Sequence, residues 1–210
     1  PVVCKPLGQF DYRFMRLLTT FILSTICLTV VAQTTPTRNW VDTEVKYTDS
    51  AGKVIKVYNS YPKGGGEYIN SGGKDYSYVI FWTRVVNEST TPLKLSIKFP
   101  ADSFSIFASP SSYIKLLIPP DTMTLEKISL GDYGLTNLKF LLDNGFNKPS
   151  IFERTLNPNE ECLFYIPIFI HQAQGTARAA LVLKGQDLFY RISINPKSAL
   201  IPCGRIDFKN

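Results

Sequence analysis

The sequence predicts an all-β fold, an antiparallel β-sandwich with one short helix, after an N-terminal signal peptide. Three observations support this prediction. From Trp40 onward, apolar and polar residues alternate with a period of two, which is typical of strands with one buried face. Gly and Pro turn residues separate these segments at short intervals. Strands and helices do not alternate, which disfavours a parallel α/β fold and favours two packed sheets.

The signal peptide is predicted from an apolar run of 16 residues, 17–32, which contains no charge and follows Arg13 and Arg16. A transmembrane helix takes about 20 such residues, so the run is short for a membrane span. A small residue, Ala32, stands before Gln33, as a signal peptidase requires. We therefore expect cleavage after Ala32, and an anchor that is retained is the alternative.

Met15 stands where a signal peptide would begin, so the residues before it are expected to be an upstream or non-native extension. The predicted organisation is an extension, a signal peptide, a polar linker and a β-sandwich domain, at 1–14, 15–32, 33–39 and 40–210. A protein exported in this way is expected to be secreted or periplasmic. It would keep no membrane span once the signal peptide is removed.

Inside the domain, the alternation and the turn residues place strands at 41–48, 54–58, 76–87, 93–99, 104–107, 113–118, 124–129, 151–156, 162–170, 177–184 and 188–194. Segment 76–87 is apolar on both faces, whereas 93–99 alternates apolar residues with Lys and Ser, as a half-solvated antiparallel strand does. Pro167 lies inside one strand and lacks the N–H that a ladder needs, which predicts a bulge or an edge there.

The remaining elements are a glycine-rich segment and a helix. Segment 62–74 is predicted to be a flexible hairpin loop, because its glycines have neither the Walker A spacing nor the G-x-G-x-x-G spacing of a phosphate-binding loop. Segment 135–144 is the one helical pattern, with its leucines on one face and Gly145 at its end. This helix is expected to cover one end of a sheet.

Removal of residues 1–32 would lower the net charge from +6 to +4, because three basic residues and one acidic residue lie there, and this mild charge does not predict an anionic partner. Basic residues such as Lys94, Lys98 and Lys115 alternate with apolar residues along predicted strands, which indicates a solvated strand face. Proteins that bind nucleic acids instead concentrate Lys and Arg on one surface that meets the phosphates. No nucleic-acid partner is predicted.

Two cysteines, Cys162 and Cys203, remain after removal of the leader. In an oxidising compartment they could form one disulfide, which would close a loop of about 40 residues and stabilise the fold by about 3 to 4 kcal/mol. The alternative is a pair of thiols that pack as small apolar side chains. A zinc site is disfavoured because the chain has no C-x-x-C and a single histidine, His171, so no metal or other cofactor is predicted.

No catalytic constellation is recognisable in the sequence. A Ser-His-Asp or Cys-His scheme must use His171, and Cys162 is nine extended residues away along the same strand, roughly 30 Å. His171 is therefore expected to be a solvent-facing residue at a strand end. Paired carboxylates of a glycoside hydrolase are assembled by folding and leave no spacing to detect. Asn87-Glu88-Ser89 fits a glycosylation sequon, and it is only a turn in a bacterial protein.

Tyrosines cluster between residues 58 and 82, in and around the glycine-rich segment. Flat rings with a hydroxyl can stack on sugars, but tyrosine also suits strands, and packing in a core is the competing interpretation. The residues that border the predicted loop, Tyr58, Tyr61 and Tyr68, are the candidates for contact with a ligand. Tyr78 and Trp82 share a strand face with Ile80 and are expected to be buried.

Three stretches of the sequence, FWTRVVNESTTPLKLSIKFPADSF, NPNEECLFYIPIF and LVLKGQDLFYRISI, resemble immunoglobulin-like extracellular modules. The chain is also similar to small uncharacterised secreted bacterial proteins. This resemblance covers 76–194 and implies an immunoglobulin-like architecture, but it carries over no functional residue. Cys162 and Cys203 do not flank the Trp82 strand in the order Cys, Trp, Cys of antibody domains.

These observations together predict an exported β-sandwich that acts without catalysis, as a binding or structural accessory module at the cell envelope or outside the cell. The expected partner is a polysaccharide, an envelope protein or a second copy bound through an exposed edge strand. The alternative function is a carbohydrate-binding module that uses the tyrosines, with a glycoside hydrolase as its less favoured form.

Overall fold

The computed structural model describes residues 40–173 and 175–208. The expected upstream extension, signal peptide, cleavage site and polar linker lie outside these residues. Within the described residues, no helix is both long enough and apolar enough to cross a bilayer. The residues from Trp40 onward form one compact unit.

The described residues form two antiparallel sheets, which confirms the all-β prediction. Sheet A consists of β1 (Val41–Thr48), β2 (Val54–Ser60), β3 (Lys63–Ile69), β4 (Asp75–Asn87), β6 (Tyr113–Leu116) and β8 (Glu161–His171). These strands have the order β1-β2-β4-β8-β6, and β3 pairs with the part of β4 that β2 leaves unpaired. Sheet B has the order β7-β5-β11-β10-β9, built from β5 (Leu93–Phe99), β7 (Ser150–Leu156), β9 (Ala177–Lys184), β10 (Asp187–Ile194) and β11 (Lys197–Phe208).

Within the described residues, helical structure is confined to the segment between β6 and β7. It consists of two 3-10 helices, Leu125–Ser129 and Gly131–Gly134, and one α-helix, α1 (Leu138–Gly145). The helix confirms the prediction at 135–144 and begins three residues later. The strand predicted at 124–129 is wrong, because this stretch forms the first 3-10 helix.

The glycine-rich segment is the clearest correction to the predicted elements. Instead of a flexible loop throughout 62–74, residues Lys63–Ile69 form β3, and only the turn at 70–74 remains. The pairing of β3 with β4 shifts register between Gly64 and Glu67. A side chain at Gly66 would overlap the Tyr78 ring, so glycine lets β3 approach β4 closely.

Two further strand predictions are corrected. Segment 104–107 contributes only an isolated bridge between Phe104 and Ile114. Strand β11 was not predicted, because Pro202 and Gly204 interrupt its pattern and normally argue against a central strand. The ladder accommodates them with a bulge, since Leu188 pairs with Gly204 and the next residue, Phe189, pairs with Pro202.

Within the described residues, an apolar core lies on each face of sheet A, and the outer one consists of two clusters. The first lies between the sheets and includes Val57, Phe81, Leu95, Phe164 and Ile192. The second lies on the outer face of sheet A, beneath residues 117–146, which we call the covering segment. Burial on both faces explains why 76–87 is apolar on both sides.

The covering segment is fixed to sheet A by polar contacts at its centre. Lys63 Nζ donates to the carbonyl oxygens of Ile128 and Leu130 at 2.6 and 2.8 Å. The Tyr133 hydroxyl donates to the Tyr61 carbonyl oxygen at 2.6 Å, and the Tyr165 hydroxyl donates to the Tyr133 carbonyl oxygen at 2.8 Å. These contacts satisfy the carbonyls of a segment that has little regular structure of its own.

Pro167 marks an edge, as the sequence predicts. Strand β8 pairs with β4 along its length, but on its other side β6 pairs only with residues 168–171, and the Leu117 N–H donates to the Pro167 carbonyl oxygen. Pro119 and Pro120 then direct the chain away. No strand of the described residues pairs with 161–166 on this side, and we call this stretch the open edge of β8.

Candidate functional site

The three tyrosines proposed as ligand contacts have different environments. Tyr61 follows β2 and is 36% exposed, with the Arg178 guanidinium 5.2 Å from its ring centre. Tyr58 is half-buried and lies near Arg84. Tyr68 is only 7% exposed, because β3 is a strand rather than a loop and turns this ring into the second core.

The structure therefore does not bring Tyr58, Tyr61 and Tyr68 together as one exposed surface. Tyr68 packs against Tyr76 and Phe146, and its hydroxyl donates to Asp143 Oδ1 at 3.3 Å. Desolvation raises the pKa of Tyr68. Trp82 is buried as the sequence predicts, and Tyr78 is half-buried against both parts of the second core.

Cys162 and Cys203 are buried free thiols in the structure. Both belong to the core between the sheets, Cys162 on β8 and Cys203 on β11. Desolvation raises the pKa of each thiol to about 12 from 9.0. Thiols in this environment are protonated at neutral pH and are not activated nucleophiles.

His171 lies at the end of β8 but is buried, which corrects the expectation that it faces solvent. Its Nδ1–H donates to the Asp75 carbonyl oxygen at 2.6 Å, and its ring contacts Tyr76 and Tyr113. No group of three His, Cys, Asp or Glu residues within the described part of the chain could hold a metal ion.

A groove runs along one flank of the sandwich, where the open edge of β8 faces the edge strand β7. It encloses a cavity of about 630 Å³. Its floor is Glu161, Cys162 and Leu163, one wall is Ile151, Phe152 and Arg154 of β7, and the other wall is residues 118–126 of the covering segment. We call this feature the flank groove.

The main chain on the floor of the groove has hydrogen-bonding groups directed toward it. The Glu160 carbonyl oxygen accepts from Asn87 on the β4 side, whereas the Pro167 carbonyl oxygen accepts from Leu117 on the opposite side. The main-chain N–H and C=O groups of successive residues in a strand point to opposite sides. Leu163 and Tyr165 therefore direct theirs to the same side as Pro167, away from β4. Leu163 is the one of these that lines the groove.

The walls of the groove are apolar at the rim and carry charge of both signs. Ile151 is 59% exposed and Leu125 is 45% exposed. Asp121 and Glu126 lie on the wall formed by the covering segment, and Arg154 lies on the β7 wall. Within the described residues these three charges form no ion pair, whereas Glu161 on the floor is paired with Arg84.

The sequence signals this groove only in part. Pro167 predicts the edge, and Pro119-Pro120 predict that the chain turns away before β6 can extend. The pairing of β7 with β5 depends on contacts across the chain, which spacing does not reveal. No family model, no curated protein and no solved structure matches this chain.

Proposed function

We propose that this protein is an exported, immunoglobulin-like β-sandwich that binds another protein and does not act as a catalyst. Export rests on the predicted signal peptide, and the immunoglobulin-like type rests on the resemblance of 76–194. The observation that supports a binding role is the open edge of β8 at the floor of the flank groove.

The proposed ligand is an extended segment of a partner protein that occupies the place that β6 leaves empty. Its main chain would pair with Leu163, as peptides do when they add a strand to a sheet edge. Its alternate side chains would contact the apolar rim at Leu125 and Ile151. Basic residues would face Asp121 and Glu126, and an acidic residue would face Arg154.

Site-specific photocrosslinking in the natural host tests this proposal. A photoreactive residue at position 125 or 151 is expected to crosslink to a second protein species, whereas one at position 200 is not. Leu200 is the matched control, because it is similarly exposed but lies on β11, outside the groove. Absence of crosslinks at 125 and 151, or equal crosslinking at 200, would contradict the proposal.

A substitution that removes a main-chain N–H distinguishes strand addition from binding through side chains alone. Leu163→Pro removes an N–H that does not pair with β4, so we expect the fold to persist while crosslinking at position 151 falls at least about tenfold. Circular dichroism checks the fold. If this variant does not fold, Ile151→Glu changes an exposed rim residue instead, and crosslinking is then measured at position 125. Crosslinking that survives in a folded variant would refute strand addition.

The carbohydrate-binding alternative on Tyr58, Tyr61 and Tyr68 has less support. Of these rings, Tyr61 is the exposed one, and a single partly covered ring offers little stacking surface. Glycan-array binding that is lost in Tyr61→Ala would favour this alternative over the proposed protein partner.

A further inference from the structure

A second cavity, separate from the flank groove, lies beside the turn between β3 and β4. Its volume is about 410 Å³, which falls within the range of small-ligand sites. Four side chains that could hold an anion line it: Lys74, Tyr76, Tyr113 and Lys115. We call this cavity the lysine–tyrosine pocket.

Lys115 is the most unusual residue of the pocket, because its alternation with apolar neighbours predicts a solvated side chain. The structure corrects this expectation: Lys115 is 9% exposed. Its Nζ donates to the Phe146 carbonyl oxygen at 2.9 Å and to Asn147 Oδ1 at 3.2 Å, and it lies 4.2 Å from the centre of the Phe146 ring.

Both acceptors of the Lys115 ammonium are neutral oxygens. No carboxylate within the described residues forms an ion pair with it. A buried ammonium is costly without a counter-charge, and it has three protons, of which the two acceptors use two. Desolvation lowers the pKa of Lys115, and the more distant Asp102 partly opposes this effect.

The tyrosine hydroxyls provide a further donor. Those of Tyr76 and Tyr113 are 2.9 Å apart, and only one of their two protons can lie between the oxygens. The other proton is available to a ligand. Lys74 Nζ lies 3.5 Å from the Tyr113 hydroxyl and adds a second positive charge. Burial raises the pKa of Tyr76, so its hydroxyl stays protonated.

We propose that the lysine–tyrosine pocket binds an acidic sugar unit, with its carboxylate held by Lys115, Lys74 and the tyrosine pair. The carboxylate would supply the counter-charge that Lys115 lacks, through charge-assisted hydrogen bonds. Asn70, Ser103 and Asn147 also line the cavity and supply neutral donors and acceptors for sugar hydroxyls. Asp102 on the same wall disfavours a second negative charge, so a monoanion fits better than a phosphate dianion.

Calorimetric titration of the domain with defined probes tests the ligand class. Glucuronate is expected to bind at least about tenfold more tightly than glucose, which has the hydroxyls without the carboxylate. Binding of an oligogalacturonate would show that the ligand is part of an acidic polysaccharide. Binding of free glucuronate alone would show that the ligand is the free sugar acid. Equal affinity for glucose and glucuronate, or tighter binding of inorganic phosphate, would overturn the proposal.

Substitutions in the pocket test the assigned residues. Lys115→Met keeps the length of the side chain and is expected to weaken glucuronate binding at least about tenfold, and Tyr113→Phe to weaken it several-fold. Lys98→Met, an exposed lysine on β5, is the matched control and should bind normally. If Lys115→Met does not fold, Lys74→Gln at an exposed position takes its place. Unchanged binding in the folded variants would refute the assignment.

The pH dependence of binding provides a second measurement. Carboxylate binding requires protonated Lys115, whose pKa is lowered. Glucuronate affinity is therefore expected to fall at a lower alkaline pH than the titration of an exposed lysine would give. Affinity that stays constant through the alkaline range would exclude Lys115 as the anion-binding group.

Discussion

Asn87 shows how one buried amide can organise a whole end of the sandwich. Its Nδ2 lies within 3.1 Å of the carbonyl oxygens of Thr91, Leu156 and Asn157. Its Oδ1 accepts from the N–H and the hydroxyl of Ser89, at 3.1 and 2.6 Å. One side chain thus joins the turn after β4 to the turn between β7 and β8.

These contacts correct the sequon interpretation of Asn87-Glu88-Ser89. Asn87 is fully buried, and a glycan attached to Nδ2 would displace the carbonyl oxygens that contact this atom. The sequence alone correctly indicates a turn at this point. It could not show burial, because the carbonyl partners at 156 and 157 are distant in the chain and reach Asn87 only through the fold.

Asn87→Ala is expected to reduce the free energy of unfolding by about 3 kcal/mol, since it leaves several buried carbonyls and the Ser89 N–H without partners. Chemical denaturation measures this change. Asn144→Ala is the control, because the Asn144 side chain is exposed and donates only to Phe140 within its own helix. A loss below about 1 kcal/mol for Asn87→Ala would show that water replaces these contacts.

At the scale of elements, β11 depends on a close approach to β5 that only glycine allows. Gly204 pairs with Ile97 and has a φ of +152°. A side chain at this position would overlap the Ser96 carbonyl oxygen, which belongs to the backbone and cannot turn aside. The bulge at Cys203 brings Gly204 into this position.

Gly204→Ala is therefore expected to separate β11 from β5 and to reduce the free energy of unfolding by more than about 3 kcal/mol. Gly131→Ala serves as the control, because nothing lies within 4 Å of a side chain there. Thermal denaturation of both variants gives the comparison. Similar melting temperatures would mean that β11 can shift to accommodate a methyl group.

The elements that the sequence predicts correctly are those whose local pattern agrees with their tertiary role. Strand β5 alternates cleanly because one of its faces packs on the core. Strand β3 and strand β11 have glycines that weaken the local signal, and long-range pairing overrides this weakness. Residues 125–129 have strand composition, but they are on the covering segment, where no ladder is available.

At the scale of the whole molecule, the core between the sheets contains ionisable groups that stay neutral to a higher pH in the folded chain than in the unfolded chain. These are the thiols of Cys162 and Cys203 and the hydroxyl of Tyr190, whose pKa burial raises well above its ordinary value. A raised folded-state pKa means that the unfolded chain loses its proton first as the pH rises. Their contribution to stability is present below pH 9 and is lost above it.

We expect the free energy of unfolding to decrease between pH 8 and about pH 10.5, more steeply in the wild type than in the variant Cys162→Ala/Cys203→Ala. The expected difference between the two decreases is about 4 kcal/mol, about 2 kcal/mol for each thiol whose pKa burial raises from 9.0 to about 12. Equal slopes would show that the thiols do not titrate. Alkylation of the denatured, unreduced chain followed by mass spectrometry then shows whether Cys162 and Cys203 are free thiols, as in the structure, or are joined in a disulfide.

The candidate sites were less predictable than the sheets, because they form from residues that are distant in the sequence and that only the fold brings together. Lys115 has an ordinary alternating environment in the sequence, and it is buried because Phe146, at the end of the covering segment, and the next residue, Asn147, contact it. Tyr68 belongs to the second core, but in the sequence it lies within a glycine-rich stretch that has the composition of a loop. Local signals come only from prolines: Pro167 lacks the N–H that strand pairing needs, and Pro119-Pro120 end the segment before them.

The covering segment also determines what spectroscopy of this chain can detect. The chain has two tryptophans, Trp40 and Trp82, and both contact the ring of Tyr133 edge-on, with centroids 6.2 Å apart in each pair. Tyr133 belongs to the covering segment, so every indole senses the outer layer rather than the core between the sheets. Tryptophan emission is thus a local reporter of the docking of one layer, and the opening of the sandwich itself must be followed by another signal.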